Sequence, residues 1–153
     1  MELTAREDID APLDQVFSEL TDFDGIERQV LRRGVDVQRT HDTGVAARGM
    51  AWKADFKFRG KTRTTKIELV EFTAPEHMVF HSVSGGLEAR TVVDVVALSR
   101  GCTRIGVTTE FTPKTLSARL LVQSLKLAKG GVETRFKTKM AGLAKDLENR
   151  LKG

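Results

Sequence analysis

The chain has 153 residues, one cysteine and a formal net charge of +4, with 40% hydrophobic and 30% charged residues. This composition is typical of a globular protein, and a single cysteine excludes an internal disulfide. No run approaches the ~20 apolar residues needed to span a bilayer, and the N-terminus alternates in charge, unlike a signal peptide. We therefore expect one domain over residues 1–153 and a cytoplasmic location.

The N-terminal segment predicts one strand followed by two short helices. Over residues 2–9 apolar and polar residues alternate, so one face of the strand is expected to be buried. Glu7 is the exception, because it lies on the apolar side of that alternation. Pro12 then suits the first position of a helix, and an apolar stripe follows over residues 13–20. A second short helix is expected around residues 26–31.

The central segment, residues 35–112, lacks a helical period and predicts an antiparallel sheet. Turn signals recur along it, at Asp42-Thr43-Gly44, Arg59-Gly60-Lys61, Ala74-Pro75-Glu76, Gly85-Gly86 and Arg100-Gly101. They separate β-rich runs at residues 35–41, 45–58, 61–73, 77–84, 87–98 and 102–112. Short connections make neighbouring strands antiparallel, so with the first strand we expect seven strands.

The C-terminal segment, residues 114–152, predicts one long helix. Its apolar residues recur at alternating spacings of three and four, at Leu121, Leu125, Ala128, Val132, Phe136, Met140, Leu143, Leu147 and Leu151. At ~1.5 Å per residue such a helix would exceed ~50 Å. The paired glycines Gly130-Gly131 favour a kink near its middle. Ten basic residues against three acidic ones make this segment strongly basic.

Several short segments, taken in their order along the chain, are similar to one known family. They are Ile9-Asp10-Ala11-Pro12-Leu13-Asp14-Gln15-Val16-Phe17 with Leu20-Thr21-Asp22-Phe23, then Glu71-Phe72-Thr73-Ala74-Pro75-Glu76-His77-Met78-Val79-Phe80, and then Gly101-Cys102-Thr103-Arg104-Ile105. They resemble the START-like, Bet v 1-like superfamily of polyketide cyclase/dehydrase and lipid-transport proteins. The resemblance implies an α+β helix-grip fold, in which a curved seven-stranded antiparallel sheet surrounds a long C-terminal helix. It also implies an apolar cavity between the sheet and that helix.

The residues expected to contact a ligand lie on the apolar faces of the predicted strands and helix. In the strand that contains Trp52, apolar and charged residues alternate, and the indole N–H needs a partner if it is buried. Thr91 and Thr109 lie on apolar faces, where they are able to bond a ligand but also simply suit a strand. The candidate ligand contacts are Met50, Trp52, Phe56, Thr91, Val93, Thr109, Phe111, Leu125 and Val132. Ordinary core packing would produce the same pattern.

No catalytic or metal-binding constellation stands out. His81 is the best candidate acid or base, because it lies on a predicted strand and histidine titrates near neutrality. A hydrogen-bonded structural histidine is the alternative. His77 and His81 are four residues apart, which on a strand separates them by ~13 Å, too far for one metal ion. We therefore expect no metal and no cofactor.

Three functions remain open. The first is the binding of a small hydrophobic ligand, such as a lipid, an isoprenoid or a polyketide-like molecule, in the cavity. The second is a cyclase or dehydratase that uses acid–base chemistry in the same cavity. The third is interaction with a membrane or a protein through the basic amphipathic residues 116–129.

If the protein binds a ligand in the cavity, we expect the two halves of the C-terminal helix to lie in different places. Residues from Val132 onward are expected to pack on the sheet, and residues before Gly130 are expected to border the cavity opening with their lysines in solvent. A membrane surface is therefore an alternative partner rather than the favoured one. Nucleic-acid binding is disfavoured, because the charges spread around the helix without an aromatic platform. The sequence leaves the oligomeric state open.

Overall fold

A seven-stranded antiparallel sheet forms the body of the protein, with the first strand of the chain at one edge, followed by the seventh, sixth, fifth, fourth, third and second. The structure is a computed structural model that describes residues 1–153. The elements are β1 Glu2–Ile9, α1 Leu13–Leu20, α2 Phe23–Arg32, β2 Asp36–His41, β3 Ala51–Phe58, β4 Lys61–Thr73, β5 His77–Ser84, β6 Leu87–Ser99, β7 Cys102–Pro113, α3 Leu116–Leu127 and α4 Lys129–Lys152. The sheet is curved around the C-terminal helix, which confirms the predicted helix-grip fold.

Strand β3 is shorter than the sequence indicated. The predicted run began at residue 45, whereas the strand begins at Ala51. Gly44 and Gly49 have φ angles of 85° and 99°, in the left-handed region that is incompatible with an extended strand. Val45 between them is 75% exposed. The segment before β3 is therefore a loop, held to the sheet by the hydrogen bond from the Gly49 N–H to the Leu69 carbonyl.

The core lies between the helices and the face of the sheet that they cover. Its most deeply buried side chains are Ile9, Val16, Leu69, Met78, Val95 and Thr103. Aromatic pairs join the two short helices to the sheet: Phe17 of α1 lies 5.7 Å from Phe72 and Phe23 of α2 lies 5.0 Å from Trp52, measured between ring centroids. Tilted aromatic pairs of this kind stabilise a core beyond their buried area.

The C-terminal segment is two helices rather than one. The chain leaves the helical conformation at Ala128, where φ is −103° and ψ is 24°, two residues before the predicted kink at Gly130-Gly131. The helices pack on different neighbours, since α3 contacts β7 whereas α4 contacts β1 and α1. A single straight helix cannot follow both surfaces, so the break is placed where the neighbours change.

Candidate ligand-binding cavity

A cavity of about 320 Å³ lies between the short helices, the C-terminal helix α4 and the strands β1 and β7. This volume is at the lower end of the range for small-molecule sites. Ten of its fifteen lining residues are hydrophobic. These are Ala5, Leu20, Ile26, Val30, Ile105, Val107, Met140, Leu143, Ala144 and Leu147. The cavity is therefore suited to an apolar molecule.

Each wall of the cavity follows from the periodicity of one element. On β1, Ala5 faces inward opposite Val107 of β7, and its short side chain leaves space above the sheet. On α2, Ile26 and Val30 are four residues apart and so share one face. On α4, the lining residues recur at spacings of three and four over residues 140–150, which is again one helical face.

Glu7 places a carboxylate in this apolar surrounding. It lies on β1 directly opposite Ile105, on the face of the sheet that the helices cover. Its side chain forms no hydrogen bond or ion pair with any other residue, although it is only partly exposed. A partly buried carboxylate without a partner is able to accept a hydrogen bond from a bound molecule. Glu7 is therefore a charged group of the cavity that is free to orient a ligand.

The other charged groups at the cavity are already engaged or lie in solvent. Glu19 of α1 accepts a hydrogen bond from Arg150 Nε of α4 at 3.3 Å, with side chains 26% and 39% exposed. This pair links the two helices that face each other across the cavity. Arg33 is exposed at the end of α2, and Gln29 adds a neutral amide to the lining. Of the two acidic residues that line the cavity, Glu7 is therefore the one without a partner in the protein.

The end of α4 is anchored to the loop after β1. The Asp10 N–H donates a hydrogen bond of 2.7 Å to the Glu148 carboxylate. This bond, and then the charge of Lys152, hold the pKa of Glu148 below its ordinary value of 4.5. Since Glu148 follows Leu147 of the lining, the anchor fixes the position of this wall.

A polar network positions α2 over the sheet. The indole N–H of Trp52 donates to Glu27 Oε2 at 2.9 Å, and Arg39 Nε donates to the same oxygen at 2.8 Å. Arg39 also donates to Asp24 at 2.6 Å. Trp52 is 6% exposed, so the partner that its indole requires is a helix residue and not a ligand. The network thus makes Trp52 an anchor for the helix that forms one cavity wall.

The nine candidate ligand contacts from the sequence do not line this cavity. Met50, Trp52 and Val93 lie in the core, and Thr91 and Thr109 lie in the interior of the sheet. Phe56 and Phe111 are partly buried on the sheet, and Leu125 and Val132 belong to the C-terminal helices. The two threonine hydroxyls lie 3.0 Å apart and hydrogen-bond to each other. A role of these residues in contacting a ligand stays a prediction.

A second cavity touches one of these candidates. It has a volume of about 390 Å³, is more open, and lies against Phe56 and Arg33 at the edge of the sheet. Only two of its seven lining residues are hydrophobic. Its polar, open character suits an apolar ligand less well than the cavity beside Glu7 does.

His81 lies on the other side of the sheet from the cavity. Its neighbours along β5, Phe80 and Ser82, point towards the helices, so His81 points away. Its side chain is 44% exposed, and Nε2 lies 3.2 Å from the Glu88 carboxylate. This placement gives His81 no contact with the cavity. His77 lies on the same outer face and contacts Asp94 at 2.7 Å.

The sequence carried partial signals for the residues that do line the cavity. Glu7 was visible as a charge on the apolar side of an alternating strand. Ile26 and Val30 have the spacing of one helical face. The expectation for the helix was wrong in one respect: the cavity wall comes from residues 140–150 of α4, and no residue before Gly130 of the C-terminal segment borders it.

Comparison with solved structures shows the same fold in proteins of low sequence identity. The aromatase/cyclase Zhui from Streptomyces sp. R1128 superimposes with a TM-score of 0.68 at 11% identity, over 99% of this chain and 95% of that chain. A START superfamily protein from Mycobacterium smegmatis gives a TM-score of 0.58 at 11% identity, over 88% and 95% of the two chains. Norcoclaurine synthase from Thalictrum flavum, in complex with dopamine and hydroxybenzaldehyde, gives 0.63 at 15% identity, over 82% and 76%.

Sequence comparison identifies the family. A comparison with curated protein sequences found no significant match. The family model for polyketide cyclase/dehydrase and lipid transport proteins matches residues 1–148, nearly the whole chain. The resemblance seen in the sequence is thereby confirmed. The chain belongs to the polyketide cyclase/dehydrase and lipid transport family.

Proposed function

We propose that this protein binds a small, mainly apolar ligand in the cavity between α2, α4 and β1. The observation that carries the proposal is the cavity of about 320 Å³ with ten hydrophobic lining residues. Removing a ligand's apolar surface from water would supply the affinity, at roughly 25 cal/mol per Å². The family and the fold are consistent with such a ligand.

The free carboxylate of Glu7 restricts which chemical groups the ligand carries. A molecule that fits this site has an apolar body and a hydrogen-bond donor, a hydroxyl or an amine, that reaches Glu7. A ligand carboxylate at the same position would face a like charge and is disfavoured. The norcoclaurine synthase complex contains an amine, dopamine, which agrees with this class.

A cavity-filling substitution tests the proposal. Val30→Phe enlarges a partly buried side chain on the cavity wall, and Leu31→Phe makes a comparable change at the next position, which is 50% exposed and does not line the cavity. Binding of 1-octanol, followed by titration calorimetry, is expected to be weakened at least tenfold by Val30→Phe and to be unchanged by Leu31→Phe. Equal binding by both variants would exclude this cavity as the site.

A cyclase or dehydratase is the second candidate function, and Glu7 is the observation that favours it. A carboxylate in an apolar cavity is a typical general base, within reach of a proton on a bound substrate. Glu7→Gln keeps the size of the side chain but removes its basicity. An enzyme of this kind would lose turnover in the variant and retain binding of a neutral ligand, whereas a binding protein would show no turnover in either form.

A further inference from the structure

Helix α3 exposes three large apolar side chains on one side. Leu116, Leu120 and Leu127 are 73%, 58% and 92% exposed. At 3.6 residues per turn their positions fall within about 40° of one another, and they form what we call the leucine stripe. Ala118 and Val122 are the buried residues of the same helix and lie on its opposite side. Single exposed leucines are ordinary, but an aligned set on one helix marks an interaction surface.

The surroundings of the leucine stripe are basic. No acidic residue occurs in residues 111–132, which contain Lys114, Arg119, Lys126 and Lys129. Lys114 and Lys129 lie 3.5 Å and 3.7 Å from carboxylates, those of Glu88 and Glu133 respectively. Arg119 and Lys126 have no carboxylate within 4.0 Å and flank the leucines on one side of the helix.

We propose that α3 docks the protein on an anionic lipid surface. The leucine stripe would enter the boundary between headgroups and acyl chains, while Arg119 and Lys126 contact lipid phosphates, as in amphipathic helices that lie in the plane of a membrane. No helix of the chain has the combination of length and apolar character that crossing a bilayer requires. The contact is therefore peripheral.

The helix is held in the docking position before it meets a membrane. The Thr115 hydroxyl accepts a hydrogen bond from the Ala118 N–H at 3.2 Å and caps the first turn. Ala118 and Val122 fix the helix to the protein through its buried side, at 6% and 3% exposure. Binding then requires no folding of the segment, which removes a large entropic cost.

Charge favours a lipid surface over a second copy of this chain. A two-fold contact through the leucine stripe would pair the same surface from both copies. Arg119 and Lys126 would then lie near the identical residues of the partner copy without an acidic residue of α3 to compensate them. Like charges across an interface oppose association, whereas anionic lipid headgroups complement them.

Co-sedimentation with vesicles tests the proposal on the full chain. We expect binding to phosphatidylcholine vesicles that contain phosphatidylglycerol, weak binding to pure phosphatidylcholine vesicles, and release at high salt. The triple variant L116S/L120S/L127S and the double variant R119E/K126E are each expected to lower the affinity at least about tenfold. The matched control K139E/K145E makes the same change in net charge at exposed positions of α4 and is expected to bind like the wild type.

Three outcomes would overturn the proposal. The first is absence of binding to both vesicle types, which would leave the leucine stripe to a protein partner. The second is that the control and R119E/K126E weaken vesicle binding equally, which would show that binding depends on net charge and not on α3. The third is a concentration-dependent dimer, seen by sedimentation velocity and lost in L116S/L120S/L127S, which would assign the stripe to a second copy. Near-ultraviolet circular dichroism checks that each variant remains folded.

Discussion

The indole N–H of Trp52 donates a hydrogen bond of 2.9 Å to the carboxylate of Glu27, and so joins strand β3 to helix α2. The same helix carries Ile26 and Val30 of the cavity wall. Trp52, a candidate ligand contact in the sequence, therefore helps to determine where one wall of the cavity lies.

Replacing Trp52 by Phe is therefore expected to destabilise the protein and to weaken ligand binding. The change removes a hydrogen bond to a charged group, which contributes about 1.5–3 kcal/mol. Urea unfolding measures the loss. Arg28→Ala, an exposed position beside Glu27 on α2, serves as the control and should stay within about 0.5 kcal/mol of the wild type. A Trp52→Phe variant as stable as this control would contradict the anchoring role.

The hydrogen bond from Asp10 to Glu148 predicts a specific pH dependence. The pKa of Glu148 is lowered in the folded protein by that bond and then by Lys152, relative to an ordinary value of 4.5. A lowered folded pKa stabilises the protein above the unfolded pKa, and this stabilisation is lost as the pH falls through the folded pKa.

Comparing the wild type with Glu148→Gln isolates this contribution. The difference in free energy of unfolding between the two proteins should be constant near neutral pH and should shrink as the pH falls below about 4.5. Chemical denaturation over a pH series measures it. A difference that does not change with pH would show that Glu148 contributes nothing through its charge.

The turn between β5 and β6 lies so close to the start of α3 that adding one methyl group at Gly86 is expected to destabilise the protein. A Cβ on Gly86 would lie 2.1 Å from the hydroxyl oxygen of Thr115 and 2.7 Å from its Cβ, and Thr115 caps α3. Gly86→Ala should therefore lower the free energy of unfolding by about 1–3 kcal/mol. Gly101→Ala is the matched control, because a Cβ on Gly101 would have nothing within 4 Å and its backbone is not left-handed. Equal stability of the two variants would contradict the predicted clash.

The charge of Glu7 predicts which end groups the cavity accepts. Titration calorimetry with octylamine, 1-octanol and octanoate compares ligands that share one apolar chain. The wild type should bind octylamine most tightly and octanoate least. Glu7→Gln should lower the affinity for octylamine about tenfold, because a charge-assisted hydrogen bond is lost, and should raise that for octanoate. Affinities for octylamine and octanoate that are the same in the variant as in the wild type would show that Glu7 does not contact the ligand.

The fold was predictable from the sequence because its main signals are local. Strands β4 and β5 begin and end at the predicted residues, since alternation of apolar and polar side chains and the turns between strands are both read over a few neighbours. The START-like order of elements followed from the same signals. A kink was predicted at Gly130-Gly131, but its exact position at Ala128 was not, because that position depends on which strands lie under each half of the C-terminal segment.

The cavity was less predictable because it depends on what covers each part of the sheet. Trp52 and Val93 have the pattern of a cavity wall, but Phe23 covers Trp52 and the core encloses Val93. Glu7 was evident as an inward charge, yet only the structure shows that no cation pairs with it. Periodicity identifies which face of a strand is covered by helices. The packing of α2 and α4 on that face then decides where a cavity remains.

The most direct test of the central claim is a nuclear magnetic resonance titration of methyl-labelled protein with octylamine. If the ligand enters the proposed cavity, saturable shifts should occur at the methyl groups of Val30, Ile105 and Leu143, and Val93 and Val132 should change little. Shifts at Val93 and Val132, without change at Val30, Ile105 and Leu143, would place the ligand elsewhere and contradict the account.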